Sequence, residues 1–143
     1  GSAFSIARGM LKNSGRSHTL VTIDRTNENV EAYEKFPCVK KIVGDCFDPE
    51  VLQKVHSIFS SSIDLLHIDS THTYDHTFRC FTEYNRRFHP RLVVFDDIKL
   101  NDGMKQLWKE ICESFGEDAI DCTEQSMRGE AAGLGVLLLH NPR

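Results

Sequence analysis

Residues 64–75 read Asp64-Leu-Leu-His-Ile-Asp-Ser-Thr-His-Thr-Tyr-Asp75. The apolar run Ile63 to Asp69 ends in a carboxylate and breaks into a loop over Ser70 to Tyr74. The chain resumes as a helix over Asp75 to Phe88, closed by His89-Pro90. Arg91 to Asp97 (RLVVFDD) is a second apolar run that again ends in acid. Two strands that are apolar almost throughout, joined through a helix, predict parallel neighbours covered on both faces.

Upstream the alternation continues. Thr19 to Asp24 (TLVTID) and Val39 to Asp45 (VKKIVGD) are β-branched runs that predict strands. Ser2 to Asn13 reads as a helix with Phe4, Ala7 and Leu11 on its apolar face, ended by Ser14-Gly15. Asn27 to Phe36 reads as a polar helix stopped by Pro37. Asp48 caps a helix with Pro49 at its first position, running to about Phe59. Downstream, Asp102 to Phe115 places Leu107, Trp108, Ile111 and Phe115 on one side of a helix. Ala119 to Thr123 is a weak strand and Gly133 to His140 the last strand. No helix separates these two, so they predict an antiparallel edge hairpin around a polar loop, Glu124 to Ala132. The expected fold is α/β: a Rossmann-like, doubly wound, mostly parallel sheet with an antiparallel C-terminal edge hairpin, in one domain over residues 1–143.

The composition fits that class. The chain has 143 residues, 40% apolar and 27% charged, which is ordinary for a globular domain. No apolar run exceeds the length of Val136 to Leu139, far below the ~20 residues of a membrane span. Net charge is −4, and basic residues cluster no further than Lys40-Lys41 and Arg86-Arg87. Nucleic acid is thereby excluded as the main partner, since phosphate backbones need clustered positive charge. A small-molecule substrate fits, and association with a second copy stays open. The five cysteines contain no CxxC spacing, so neither a disulfide framework nor a zinc finger is expected. Reduced thiols point to the cytoplasm.

The informative pattern is acidic. Four successive strands end in aspartate: Asp24, Asp45, Asp69 and the pair Asp96-Asp97. In an open parallel sheet these carboxyl ends share one edge, where ligands bind. An acid in the place of Asp24 suits ribose hydroxyls. Asp45 follows Gly44, which allows close backbone approach. Asp69, Asp96 and Asp97 are hard oxygen donors suited to Mg²⁺, Ca²⁺ or Mn²⁺. Without a cation, three converging carboxylates repel one another and resist ionisation. His72, three residues beyond Asp69, is placed to act as a general base. His67, inside its strand, reads as a packed core residue, and His76 and His89 as helix-surface residues. Tyr74 either caps a ligand pocket or packs.

These residues resemble the class I S-adenosylmethionine-dependent methyltransferases. The likeness is to the group with an "HID-x-x-H-x-Y" segment and a following "DD", which includes sugar and macrolide O-methyltransferases and cephalosporin-hydroxylase-like proteins. The resemblance implies that Gly1, Ser2, Asp24, Asp45, Cys46 and Asp69 bind the cofactor, with Asp24 on its ribose and Asp45 and Cys46 beside its adenine. It implies that Asp69, Asp96 and Asp97 hold Mg²⁺ or another hard divalent cation. His72 matches the spacing of the base in catechol O-methyltransferase, whereas Thr71 stands where sugar O-methyltransferases carry an acid. The implied activity is metal-assisted O-methylation of a small hydroxylated, sugar- or diol-like substrate. One departure stands out. The family's first strand is missing, and Gly1-Ser2-Ala3 looks like the tail of its Gly-rich turn, so an N-terminally truncated domain is expected. Two other readings use the same residues: a non-catalytic Rossmann-like binding module, and a metal-dependent hydrolase acting through Asp69, His72, Asp96 and Asp97. No phosphate-cradling loop supports the latter.

Overall fold

The computed structural model describes residues 2–13, 17–28 and 33–140. Its elements are α1 (Ser2–Lys12), β1 (Leu20–Asp24), β2 (Val39–Val43), α2 (Pro49–Phe59), β3 (Leu65–Ile68), α3 (Tyr74–Phe88), β4 (Leu92–Asp96), α4 (Asp102–Phe115), β5 (Ala119–Asp121) and β6 (Leu134–Leu138). They fall into two compact units, residues 1–58 and 59–143.

In the first unit β1 and β2 pair in parallel, with Leu20 beside Val39 and Asp24 beside Val43. The ladder continues past the strands, where the Gly44 N–H donates to the Asp24 carbonyl at 2.8 Å. Ala7 is the buried residue of α1, and Phe4 meets Phe36 edge-on at 5.1 Å. Asp48 accepts from the Glu50 N–H, and α2 buries Val51, Leu52 and Val55. Gly44 (φ +153°) lets the strand end approach that helix: a Cβ here would lie 2.6 Å from Val51 Cγ2. Residues 29–32 of the expected helix Asn27–Phe36 lie outside the described residues, and Tyr33 to Lys35 form a terminal turn.

The second unit holds a four-stranded sheet in the order β3-β4-β6-β5. β3 and β4 are parallel, while β6 runs antiparallel to both β4 and β5. The expected hairpin is present, with β6 seated against β4 and the short β5 at the edge. Val93, Phe95 and Leu137 alternate onto one sheet face and are buried, as are Phe81 and Phe88 of α3 and Met104, Leu107 and Trp108 of α4. Phe95 centres the aromatic contacts, 5.5 Å from Phe81 and 6.0 Å from Trp108. Burying such side chains supplies about 1.5–3 kcal/mol each. Gly135 makes the Trp108 contact feasible, since a Cβ on β6 there would fall 2.5 Å from the indole. Asn101 caps α4, its Oδ1 accepting from the Met104 N–H at 2.9 Å.

The chain is thus an α/β, Rossmann-like protein with parallel strand pairs and an antiparallel edge. The described strands form two sheets rather than one continuous ladder. Among the described residues no helix is long and apolar enough to cross a membrane.

Candidate functional site

Pleating gives three residues at the rim of the second unit a common face. His67 lies beside Val94 in the parallel register, so two residues further Asp69 comes level with Asp96. Side chains alternate across a strand, which places His67, Asp69 and Asp96 on one side, while Asp97 follows the last residue of β4. A ligand atom of each of His67, Asp69 and Asp96 lies within 4.8 Å of the other two. Burial first, then the charges of Asp69 and Asp97, push the Asp96 carboxyl above its ordinary value, against the opposing pull of the Asp97 N–H and His67. That N–H donates to Asp96 Oδ1 at 3.0 Å.

Asp97 leaves the strand in a left-handed conformation, φ +58°. Its N–H also donates to the Gly133 carbonyl, and the Lys99 N–H to that of Ala132, so the turn after β4 is tied to the start of β6. Its side chain is buried, only 4% exposed, yet has two polar partners, His72 and Arg128. His72 Nε2 stands 3.1 Å from Oδ2. Arg128 Nη1 donates to Oδ1 at 3.1 Å and to Oδ2 at 3.3 Å. A buried carboxylate needs such partners, since an unpaired buried charge is strongly unfavourable. His72 Nε2 also stands 3.9 Å from Asp69 Oδ1, so the imidazole lies between the two carboxylates.

The loop carrying His72 is anchored at both ends. Asn101 Nδ2 donates to the His72 carbonyl at 2.9 Å, and the Thr77 hydroxyl of α3 donates to that of Thr71. Tyr74 is half-buried: its hydroxyl donates to Glu110 and its ring stacks on Phe78 at 5.8 Å.

In the first unit Asp24 closes β1, its Oδ1 accepting from the Thr26 N–H. A carboxylate has about four acceptor sites, so hydroxyl groups of a ligand can still be bound there. Asp45 accepts from the Phe47 N–H at 2.9 Å and pairs with Arg25 at 2.9 Å. Cys46 is a half-buried thiol and Ser2 opens α1. Gly1 lies outside the described residues.

Of the expected site residues, the structure brings Asp69, Asp96, Asp97 and His72 together in one unit and Asp24 and Asp45 to neighbouring strand ends in the other. It gives Asp97, expected as a third metal ligand, the partners His72 and Arg128. Sequence reading missed two residues. His67, read as a core residue, had as its one signal a place two positions before Asp69 on the same strand. Arg128 had no signal, lying in a polar loop 31 residues from its partner. The donor set of two carboxylates and an imidazole is one that divalent cations accept, and a cation would relieve the repulsion at Asp96.

A family model described as a methyltransferase domain matches residues 1–98. No curated protein and no solved structure matches the chain. A methyltransferase domain implies use of S-adenosylmethionine.

Proposed function

The chain belongs to the methyltransferase-domain family, and on that premise we propose that it is a divalent-cation-assisted O-methyltransferase acting on a small hydroxylated, sugar- or diol-like molecule. The observation that carries this reading is the imidazole of His72, set 3.1 Å from Asp97 and 3.9 Å from Asp69, beside an acidic pair suited to a cation. S-adenosylmethionine supplies the electrophilic methyl group, and a divalent cation lowers the pKa of a substrate hydroxyl. In this reading Asp69 and Asp96 hold the cation. Asp97 accepts the Nε2–H of His72, which fixes the tautomer and leaves Nδ1 as the ring's acceptor. His72 Nδ1 then takes the substrate's hydroxyl proton, a step worth typically 10²–10⁴-fold. Asp24 accepts from the donor's ribose hydroxyls, while Ser2, Asp45 and Cys46 complete its surroundings. Most of the remaining acceleration comes from orientation.

Two measurements test the proposal. Calorimetric titration with S-adenosylhomocysteine reads donor binding. Methyl transfer to a panel of diols and sugars, with and without EDTA, reads chemistry. Donor binding with EDTA-sensitive transfer supports it. Transfer that persists in EDTA and in Asp69→Asn overturns the cation's role. Donor binding without transfer to any hydroxyl favours a binding module instead.

A further inference from the structure

We propose that His67 is the third protein ligand of the cation, making the site a His–Asp–Asp set that prefers a transition-metal ion such as Mn²⁺ to Mg²⁺. This rests on reading the rim as a cation site, and it changes both the ligand set and the ion. Register puts His67 on the face that carries Asp69 and Asp96, and the three ligand atoms already lie within 4.8 Å of one another. Closing such a triad onto one ion, at ligand distances near 2.1 Å, takes shifts of the size that side-chain rotation provides. No other hydrogen-bond partner holds the His67 ring among the described residues. Asp97 is differently placed: it lies in the turn after β4 and is occupied by His72 and Arg128. To join the ion it would have to leave both.

The chemistry of the donors sets the preference. Mg²⁺ demands oxygen ligands in near-ideal octahedral geometry and usually keeps several waters. An imidazole nitrogen instead favours transition ions, and affinity rises from Mn²⁺ through Fe²⁺ and Co²⁺. A rim of three carboxylates would be a hard site, whereas two carboxylates and an imidazole make a mixed one. The two neighbouring histidines then divide the work, His67 binding the ion and His72 holding the proton.

The test uses the whole chain with MnCl₂ and MgCl₂ as probes, free of substrate and methyl donor. Titration reads affinity, and electron spin echo modulation of bound Mn²⁺ reads directly coordinated nitrogen. Expected are binding of Mn²⁺ about tenfold tighter than Mg²⁺ or more, and a ¹⁴N modulation that survives in His72→Gln and vanishes in His67→Gln. Should His67→Gln fail to fold, the wild type and His72→Gln alone decide. Mn²⁺ bound at Asp69 and Asp96 without nitrogen modulation overturns the role of His67 and leaves the cation site standing. Modulation lost in His72→Gln overturns it in favour of His72. Failure of the wild type to bind either ion removes the cation reading and this inference together.

Discussion

His72 Nε2 lies 3.1 Å from Oδ2 of Asp97, a carboxylate buried at the turn after β4. The pair joins a loop from the end of β3 to the end of β4 and gives the imidazole a fixed orientation. Asp97→Asn keeps the shape but removes the charge that selects the tautomer. Methyl transfer should fall by about 10²–10⁴-fold, as it should in His72→Gln. Steady-state kinetics on both variants check this, and a kcat unchanged in Asp97→Asn would break the dyad.

Asp96 gives a pH prediction of definite sign. Its carboxyl sits above the ordinary value of 3.8 because burial and the charges of Asp69 and Asp97 resist ionisation. Above 3.8 and up to the raised value, the native chain therefore holds more protons than the unfolded one. Stability then falls as pH rises through that interval. In EDTA, Asp96→Asn should raise the thermal midpoint at pH 7 and flatten its slope above pH 4. Solvent screening holds the gain to a few tenths of a kcal/mol. The same variant should lose cation-induced stabilisation. Thermal scans at both pH values would contradict this if Asp96→Asn were the less stable protein in EDTA at pH 7.

Arg128 is an exposed side chain with a buried partner. Exposed substitutions usually stay within about 0.5 kcal/mol. Arg128→Gln should cost more, about 1–3 kcal/mol, because it removes the forked donor from Asp97. Urea denaturation measures the loss. A cost below 0.5 kcal/mol would mean that the guanidinium does not hold the carboxylate in solution.

Gly135 faces the indole of Trp108, with room for no added carbon. Gly135→Ala should destabilise the second unit by about 1–3 kcal/mol through overpacking and shift the emission of the single tryptophan. Unchanged stability and emission would mean that β6 and α4 separate more easily than the packing indicates.

How much of this was legible beforehand follows from the range of each interaction. Strand identity, the Asp48-Pro49 helix start and the C-terminal hairpin depend on neighbouring residues, and all could be read. The acidic rim was legible too, because strand ends share an edge. Its division was not. Asp96 and Asp97 are adjacent in sequence, yet Asp96 groups with His67 and Asp69 while Asp97 enters a left-handed turn and pairs with His72 and Arg128. His67 reads as core when its strand is taken alone, and joins the acidic pair only once β3 is registered against β4. Arg128 reaches Asp97 through a loop whose path nothing local dictates.

The seating of β6 against β4 bears on how the chain is made. Residues 1–98 contain Asp69, His72, Asp96 and Asp97, but Arg128 and the carbonyls of Ala132 and Gly133 that hold the turn are translated later. Until Leu134–Leu138 leaves the ribosome, β4 presents the open edge that β6 later covers. A polypeptide ending near Ile98 would carry the acidic rim beside a bare, Val- and Phe-rich strand, the kind of edge that nucleates aggregation. Stop codons and frameshifts before residue 134 should therefore yield insoluble material rather than weakened enzyme.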